Sequence, residues 1–158
     1  MVKQLSIMNN EQIKHLEFIQ GIINRMNSNS FAIKGWAITI ISALLALYAS
    51  SSNVVYIFIA IIPTVIFWSL DSYYLQQERK FRGLYSDVIN PNKNIALFVM
   101  SVNSYKEGMY KFRKSFWSRT TATLYLSISL LLLFGGLILM FLDSIIKLIS
   151  NGKETSIL

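Results

Sequence analysis

The side chains best suited to bind something lie in one basic run, Lys111-Phe112-Arg113-Lys114-Ser115-Phe116-Trp117-Ser118-Arg119. Cations that grip phosphates beside rings that stack on bases are what a nucleotide or a short single-stranded oligonucleotide needs. A second cluster, Arg79, Lys80 and Arg82, would complete such a surface if the two met in space. The ligand-binding candidates are therefore Arg79, Lys80, Arg82, Lys111, Arg113, Lys114 and Arg119. A plainer reading is topological: cations beside a membrane fix orientation and touch anionic lipid, at about 1 kcal/mol each near the surface. Docking of a partner protein is a further reading. Hydroxyls form a second pattern, with Thr39 near Ser42 and Thr123 near Ser127, each pair about one helical turn apart. Such hydroxyls back-bond to their own helix, join helices, or line an aqueous path, and these four are the candidate path-lining residues.

Covalent and metal chemistry find little support. There is no cysteine, which removes disulfides and thiolate chemistry. His15 stands alone, with only Glu11 one turn away, and reads as a packing or surface residue. No glycine-rich phosphate loop, paired metal ligands or nucleophile elbow occurs. No catalytic residue, metal site or cofactor is expected, and the chain does not read as an enzyme.

The elements that must position these residues are hydrophobic. Of 158 residues 53% are apolar and 15% charged, which is unusual for a water-soluble domain. The charges avoid Ala37 to Leu70 and Thr120 to Leu142. That segregation predicts an all-α integral membrane protein with three transmembrane helices and amphipathic cytoplasmic helices, a span taking about 20 residues. Residues 1–30 read as an N-terminal amphipathic helix, capped at Asn9 or Asn10 with Glu11 in its first turn and ended by Asn27-Ser28-Asn29-Ser30. Residues 31–70 read as a two-span hairpin, turned at Ser50 to Asn53 and kinked by Pro63 in its second half. Residues 71–119 read as a basic helical segment, broken at Asn90-Pro91-Asn92. Within it Glu78 is spaced to pair with Arg82, and Phe98, Val102, Tyr105, Met109, Phe112 and Phe116 form a near-heptad seam. Residues 120–149 read as the third span, with Gly135-Gly136 marking close packing and Asp143 spaced to pair with Lys147; 150–158 reads as a disordered tail.

Orientation follows from cations near the spans. Lys3, Lys14, Arg25 and Lys34 precede the first, nine more lie between Arg79 and Arg119, and the hairpin loop has none. The positive-inside bias then puts the N-terminus and middle segment in the cytoplasm and the C-terminus outside. Lys34 and Trp36 read as a snorkelling cation and an interfacial indole. No cleavable leader is expected, since Glu11 and Glu17 precede any apolar run.

The opening Lys34-Gly35-Trp36, the tight hairpin, and the run Phe67-Trp68-Ser69-Leu70-Asp71-Ser72-Tyr73-Tyr74-Leu75-Gln76-Gln77-Glu78-Arg79-Lys80-Phe81-Arg82-Gly83-Leu84-Tyr85 carry a likeness. Over roughly Asn10 to Val88 the chain resembles small transmembrane effectors of bacterial anti-phage defence, namely SLATT-like two-span proteins and the Hailong-type transmembrane effector. The resemblance implies a bacterial inner-membrane protein that acts as a homo-oligomeric ion channel or membrane-disrupting effector. It also implies control by a nucleotide or short oligonucleotide made by a cognate nucleotidyltransferase. The third span and the segment from Ile95 to Phe116 depart from the two-span pattern. Three helices cannot enclose a water-filled path alone, so a channel requires several copies. The alternative is a non-conducting membrane anchor or accessory subunit that docks a cytoplasmic partner; a holin-like pore is the third reading.

Overall fold

The structure, a computed structural model, describes residues 9–155. Its order is α1 (Asn10–Ser51), α2 (Val55–Ile59), α3 (Ile61–Ile89), a 3₁₀ turn (Gly108–Tyr110), α4 (Phe112–Phe116) and α5 (Arg119–Thr155). No strand occurs among the described residues. Three helical stretches, Asn10–Ser51, Val55–Ile89 and Arg119–Ile149, are long and apolar enough to cross a membrane. Only 17%, 33% and 17% of their most apolar windows is buried inside the protein. The remaining apolar side chains, Leu131 and Phe134 of α5 among them, point outward and call for a hydrocarbon solvent.

Local chemistry explains the element ends. Asn9 caps α1 in a reciprocal box: its side chain accepts from the Glu11 N–H, and Gln12 accepts from the Asn9 N–H. α1 stops at Ser52, whose φ of 54° is left-handed and whose N–H reaches back to the Tyr48 carbonyl at 2.7 Å. The Asn53 side chain then accepts from the Val55 N–H at 3.1 Å, which closes the expected tight turn. Pro63 lacks the N–H that would meet the Ile59 carbonyl, and α2 and α3 separate at Ala60.

Three expectations change. α1 is one helix of 42 residues rather than an amphipathic helix followed by a span. Its buried stripe, Leu16, Ile19, Ile23, Ser30, Ile33, Ala37 and Ile41, keeps helical spacing straight through the polar run 27–30, so nothing there ends the helix. The helix expected over Ile95 to Phe116 is absent: residues 90–107 are irregular, followed by only the 3₁₀ turn and α4. Phe98 at φ 62° and Gly108 at φ 63° are left-handed, which a helix does not admit. Part of the seam still packs, through turns: Tyr105 is buried, with Val102 beside it, against Ile19, Ile23 and Leu84, whereas Phe98, Met109 and Phe112 are exposed. Finally, α5 continues to Thr155 where disorder was expected from 150. Lys3 and residues 156–158 lie outside the described residues.

The core is layered along the bundle. At the basic end lie Ile19, Ile23, Leu84 and Tyr105; next Ala37, Trp68 and Tyr125; then Ile41, Ile57, Ala60 and Leu132 toward the hairpin turn. Gly136 permits the last layer, since an added Cβ would stand 3.0 Å from the Phe58 ring. Gly83 does the same at the basic end, where a Cβ would stand 2.6 Å from the Tyr110 hydroxyl and 2.9 Å from the Tyr105 ring. Gly83→Ala should therefore loosen segment 90–118 at a cost of about 1–3 kcal/mol. Faster amide hydrogen exchange over residues 95–110, with residues 30–70 unchanged, is the expected result; unchanged exchange in both regions would show that the tyrosines yield without cost.

Candidate functional site

Between the first two apolar layers lies a polar one. Ser30 and Lys34 occupy successive turns of α1, and Asp71 faces them from α3. The Lys34 Nζ stands 2.8 Å from Asp71 Oδ1, 2.7 Å from Oδ2 and 2.8 Å from the Ser30 Oγ. Ser30 itself donates to Asp71 Oδ1. Asp71 is wholly buried, whereas a quarter of the Lys34 side chain is exposed. A lone carboxylate in such a place would be prohibitively costly; the ammonium and the hydroxyl make it tolerable. Lys34 is thus a cross-helix ion-pair partner rather than a snorkelling cation.

Other polar groups in the bundle are less satisfied. The hydroxyls of Ser72, Tyr125 and Ser129 are buried without hydrogen-bond partners among the described residues. Tyr125 comes from α5, close to Asp71, and its ring is parallel to that of Trp68 at 6.3 Å. Thr121, at the start of α5, donates to the Ser115 carbonyl at 2.7 Å. His15, at the far side of the basic end, is fully buried with neither ring nitrogen partnered. The rings of Phe98 and Phe18 cover that region, the Phe98 centroid being 5.9 Å from His15 and 6.2 Å from Phe18.

The two basic clusters meet. Arg79 donates to the Lys114 carbonyl at 3.0 Å and to the Ser118 hydroxyl at 3.0 Å, so its guanidinium holds segment 109–118 on α3. Gln76 donates to the Tyr110 carbonyl at 2.7 Å, and the Trp68 indole to the Phe116 carbonyl at 2.9 Å, along the same track. Phe116 stacks on Trp68 with centroids 4.1 Å apart. Arg82 pairs with Glu78 at 2.8 Å as its spacing suggests, Lys111 pairs with Glu107, and Lys80 is half-buried. Arg113, Lys114 and Arg119 present exposed side chains. Asp143 and Lys147 also pair, at 2.7 Å.

Of the path-lining candidates, Ser42 and Ser127 share a groove of about 310 Å³ between α1 and α5, otherwise apolar and lined by Ile38, Ile41 and Leu131 among others. Thr39 is exposed and bonds back to the Gly35 carbonyl; Ser127 does so to Leu124. Thr123 is exposed on α5, one turn before Ser127.

A last cluster ties down the irregular segment. Asp87, near the end of α3, accepts from Lys93 at 2.7 Å and from the Tyr105 hydroxyl at 2.8 Å. The Lys93 hydrogen bond, aided by Tyr105 and opposed by partial burial, holds the Asp87 carboxyl below its usual range. Burial, then the bond to Asp87, pushes the Tyr105 phenol up.

No protein-family model matches the chain, and no curated protein or solved structure is significantly similar to it.

Two outcomes follow. Lys34→Met and Asp71→Leu should each destabilise the bundle by about 3–5 kcal/mol in a micellar unfolding assay, because each leaves one charge unpaired. The double variant should recover most of that loss; losses that simply add would mean the pair is uncoupled. For the Asp87 tether, a lowered carboxyl pKa contributes stability above about pH 3.9 that is lost as pH falls through the folded value. A raised phenol contributes stability below about pH 10 that is lost on further alkalinisation. Protease sensitivity of segment 93–105 should rise at both extremes, and Asp87→Asn should remove the acid limb.

Proposed function

We propose that this chain is a membrane effector that permeabilises a bilayer as a homo-oligomer, under control of a nucleotide or oligonucleotide met by its basic segment. The observation that carries the reading is the polar layer of Ser30, Lys34, Asp71, Ser72 and Tyr125 set within a bundle whose outer surface is apolar. Lys34 and Asp71 bound the charge-free hairpin, and a buried ionic pair at the mouth of apolar helices is costly and marks an ion or proton pathway by default. The Ser42 and Ser127 groove opens on the outside of the protomer, as a path shared between copies requires. Exposed Arg113, Lys114 and Arg119 supply phosphate-binding cations, with Arg79 bridging them to α3. In this reading the chain sits in a bacterial inner membrane, the basic end is cytoplasmic by the positive-inside bias, and the setting is anti-phage defence.

A second reading, a non-conducting anchor for a cytoplasmic partner, is favoured by the exposed apolar side chains of Leu97, Phe98, Val99 and Met109 on the docked segment. Purified protein in a planar bilayer, with and without nucleotides and short oligonucleotides, separates the two. Discrete conductance is expected. Arg113→Gln combined with Lys114→Gln should abolish the ligand response, and Ser42→Leu combined with Ser127→Leu should lower unit conductance. A silent bilayer with folded protein would overturn the channel reading in favour of the anchor.

A further inference from the structure

A cavity of about 440 Å³ opens beside the polar layer, at the junction of the three long helices. Asn27, Ser30 and Lys34 wall it from α1, Glu78 and Arg82 from α3, and Thr120 from the first turn of α5. Its makeup differs from that of the neighbouring grooves, one of which is lined chiefly by Ile38, Ile41 and Leu131 and another by Ile33, Trp36 and Phe67. Donors reach it from three directions. The Glu78 carboxylate takes the Arg82 Nε at 2.8 Å, which leaves the two terminal nitrogens of the guanidinium without a hydrogen-bond partner among the described residues. Lys34 lines it with a side chain that is one-quarter exposed, its ammonium shared between Ser30 and the wholly buried Asp71. Thr120 adds a hydroxyl that shares a hydrogen bond with the Ser118 hydroxyl at 3.2 Å, while the Thr121 and Ala122 N–H groups are taken by the Ser118 carbonyl.

We infer that this cavity binds a phosphate group, with Arg82 as the forked donor, Lys34 as the point charge, and Asn27 and Thr120 as neutral donors. A guanidinium already held by a carboxylate on one edge offers its other edge in the bidentate geometry that phosphate oxygens accept. The volume accommodates a phosphate together with part of a glycerol backbone or a nucleoside. Depth is informative too, because the cavity lies where the apolar parts of α1 and α5 begin, after Ser30 and Thr120, the level of lipid headgroups. Two sources share this chemistry: a phospholipid headgroup arriving from the membrane side and a free nucleotide arriving from water. Occupancy also bears on the ion pair, since a phosphate would compete with Asp71 for the Lys34 ammonium. The site is distinct from the exposed cations Arg113 and Lys114 of the proposed gating surface, and binding is measured without any conductance, so either reading can fail alone.

The test uses the full chain in a phosphate-free detergent. Native mass spectrometry measures retention of phosphatidylglycerol against a galactosyl diacylglycerol with the same acyl chains, and thermal shift measures ATP and inorganic phosphate. At least one phosphate-bearing probe should bind, and Arg82→Gln and Thr120→Val should each weaken it by about tenfold. Lys106→Gln, which removes an exposed cation outside both proposed surfaces, should leave it unchanged. Arg82 is exposed, so its variant is expected to fold, which the melting midpoint checks directly. Retention of phosphatidylglycerol alone assigns the headgroup, a shift with ATP or inorganic phosphate alone assigns a soluble ligand, and displacement of the lipid by ATP assigns one site to both. Retention of phosphatidylglycerol no greater than that of the glycolipid with no ATP or phosphate shift, binding that Arg82→Gln and Thr120→Val leave intact, or equal weakening by Lys106→Gln would overturn the proposal.

Discussion

Asp71 has no water to turn to. It is wholly buried at the level where three apolar helices converge, and its negative charge is tolerable only while Lys34 and Ser30 hold it. That requirement fixes the rotation of α1 against α3, because Ser30 and Lys34 must stand one turn apart on the face toward Asp71. Once that register is set, Ala37 packs with Trp68 on the hairpin side and Ile23 with Leu84 on the basic side. Apolar packing alone would hold these helices together but would tolerate slippage by a turn, since lipid is as apolar as leucine. The ion pair removes that freedom.

The same layer governs the third helix. Trp68 sits three residues before Asp71 on α3, and its ring stacks on Phe116 of the docked segment and lies parallel to Tyr125 of α5 at 6.3 Å. Thr121 closes the corner by donating to the Ser115 carbonyl. The docked segment, which is mostly irregular, therefore owes its position to side chains of α3: Trp68, Gln76 and Arg79 take its carbonyls, and Gly83 makes room for its tyrosines. An irregular chain needs such partners because it lacks a helix's internal hydrogen bonds. Arg79 is thereby committed to structure, a role that its place in a basic cluster does not suggest.

The three long apolar helices were legible in the sequence because they rest on local signals: the charge-free stretches, the Asn9 cap, the polar turn near Ser52, the break before Pro63 and the spacing of the Glu78–Arg82 and Asp143–Lys147 pairs. The polar run 27–30 misled because helix-breaking propensity is weak beside tertiary packing, and Ser30 is an anchor there. The seam from Phe98 to Phe116 misled for the converse reason, as helical spacing survives in a segment whose left-handed residues forbid a helix. The Lys34–Asp71 pair was within reach. These are the first charges on either side of the hairpin, opposite in sign and nearly equidistant from Ser52, so an antiparallel hairpin brings them together. What no local pattern reveals is Tyr125, Thr121 and Thr120 arriving from α5, because the long intervening segment leaves its register open.

This arrangement joins the docked segment to the buried polar layer by few steps. Segment 109–118 touches Trp68 and Arg79; Trp68 touches Tyr125; Tyr125 stands close to Asp71. Displacing that segment would strip Trp68 of both its hydrogen-bond acceptor and its stacking partner, and the neighbouring unpartnered hydroxyls of Ser72 and Tyr125 would gain by taking up water. A dry ion pair held between apolar layers and a hydrated one are discrete alternatives, since partial hydration leaves polar groups unsatisfied. Bistability of that kind is what the proposed switch between a closed and a leaky bundle would need, and the element in contact with the polar layer is the one bearing the exposed cations.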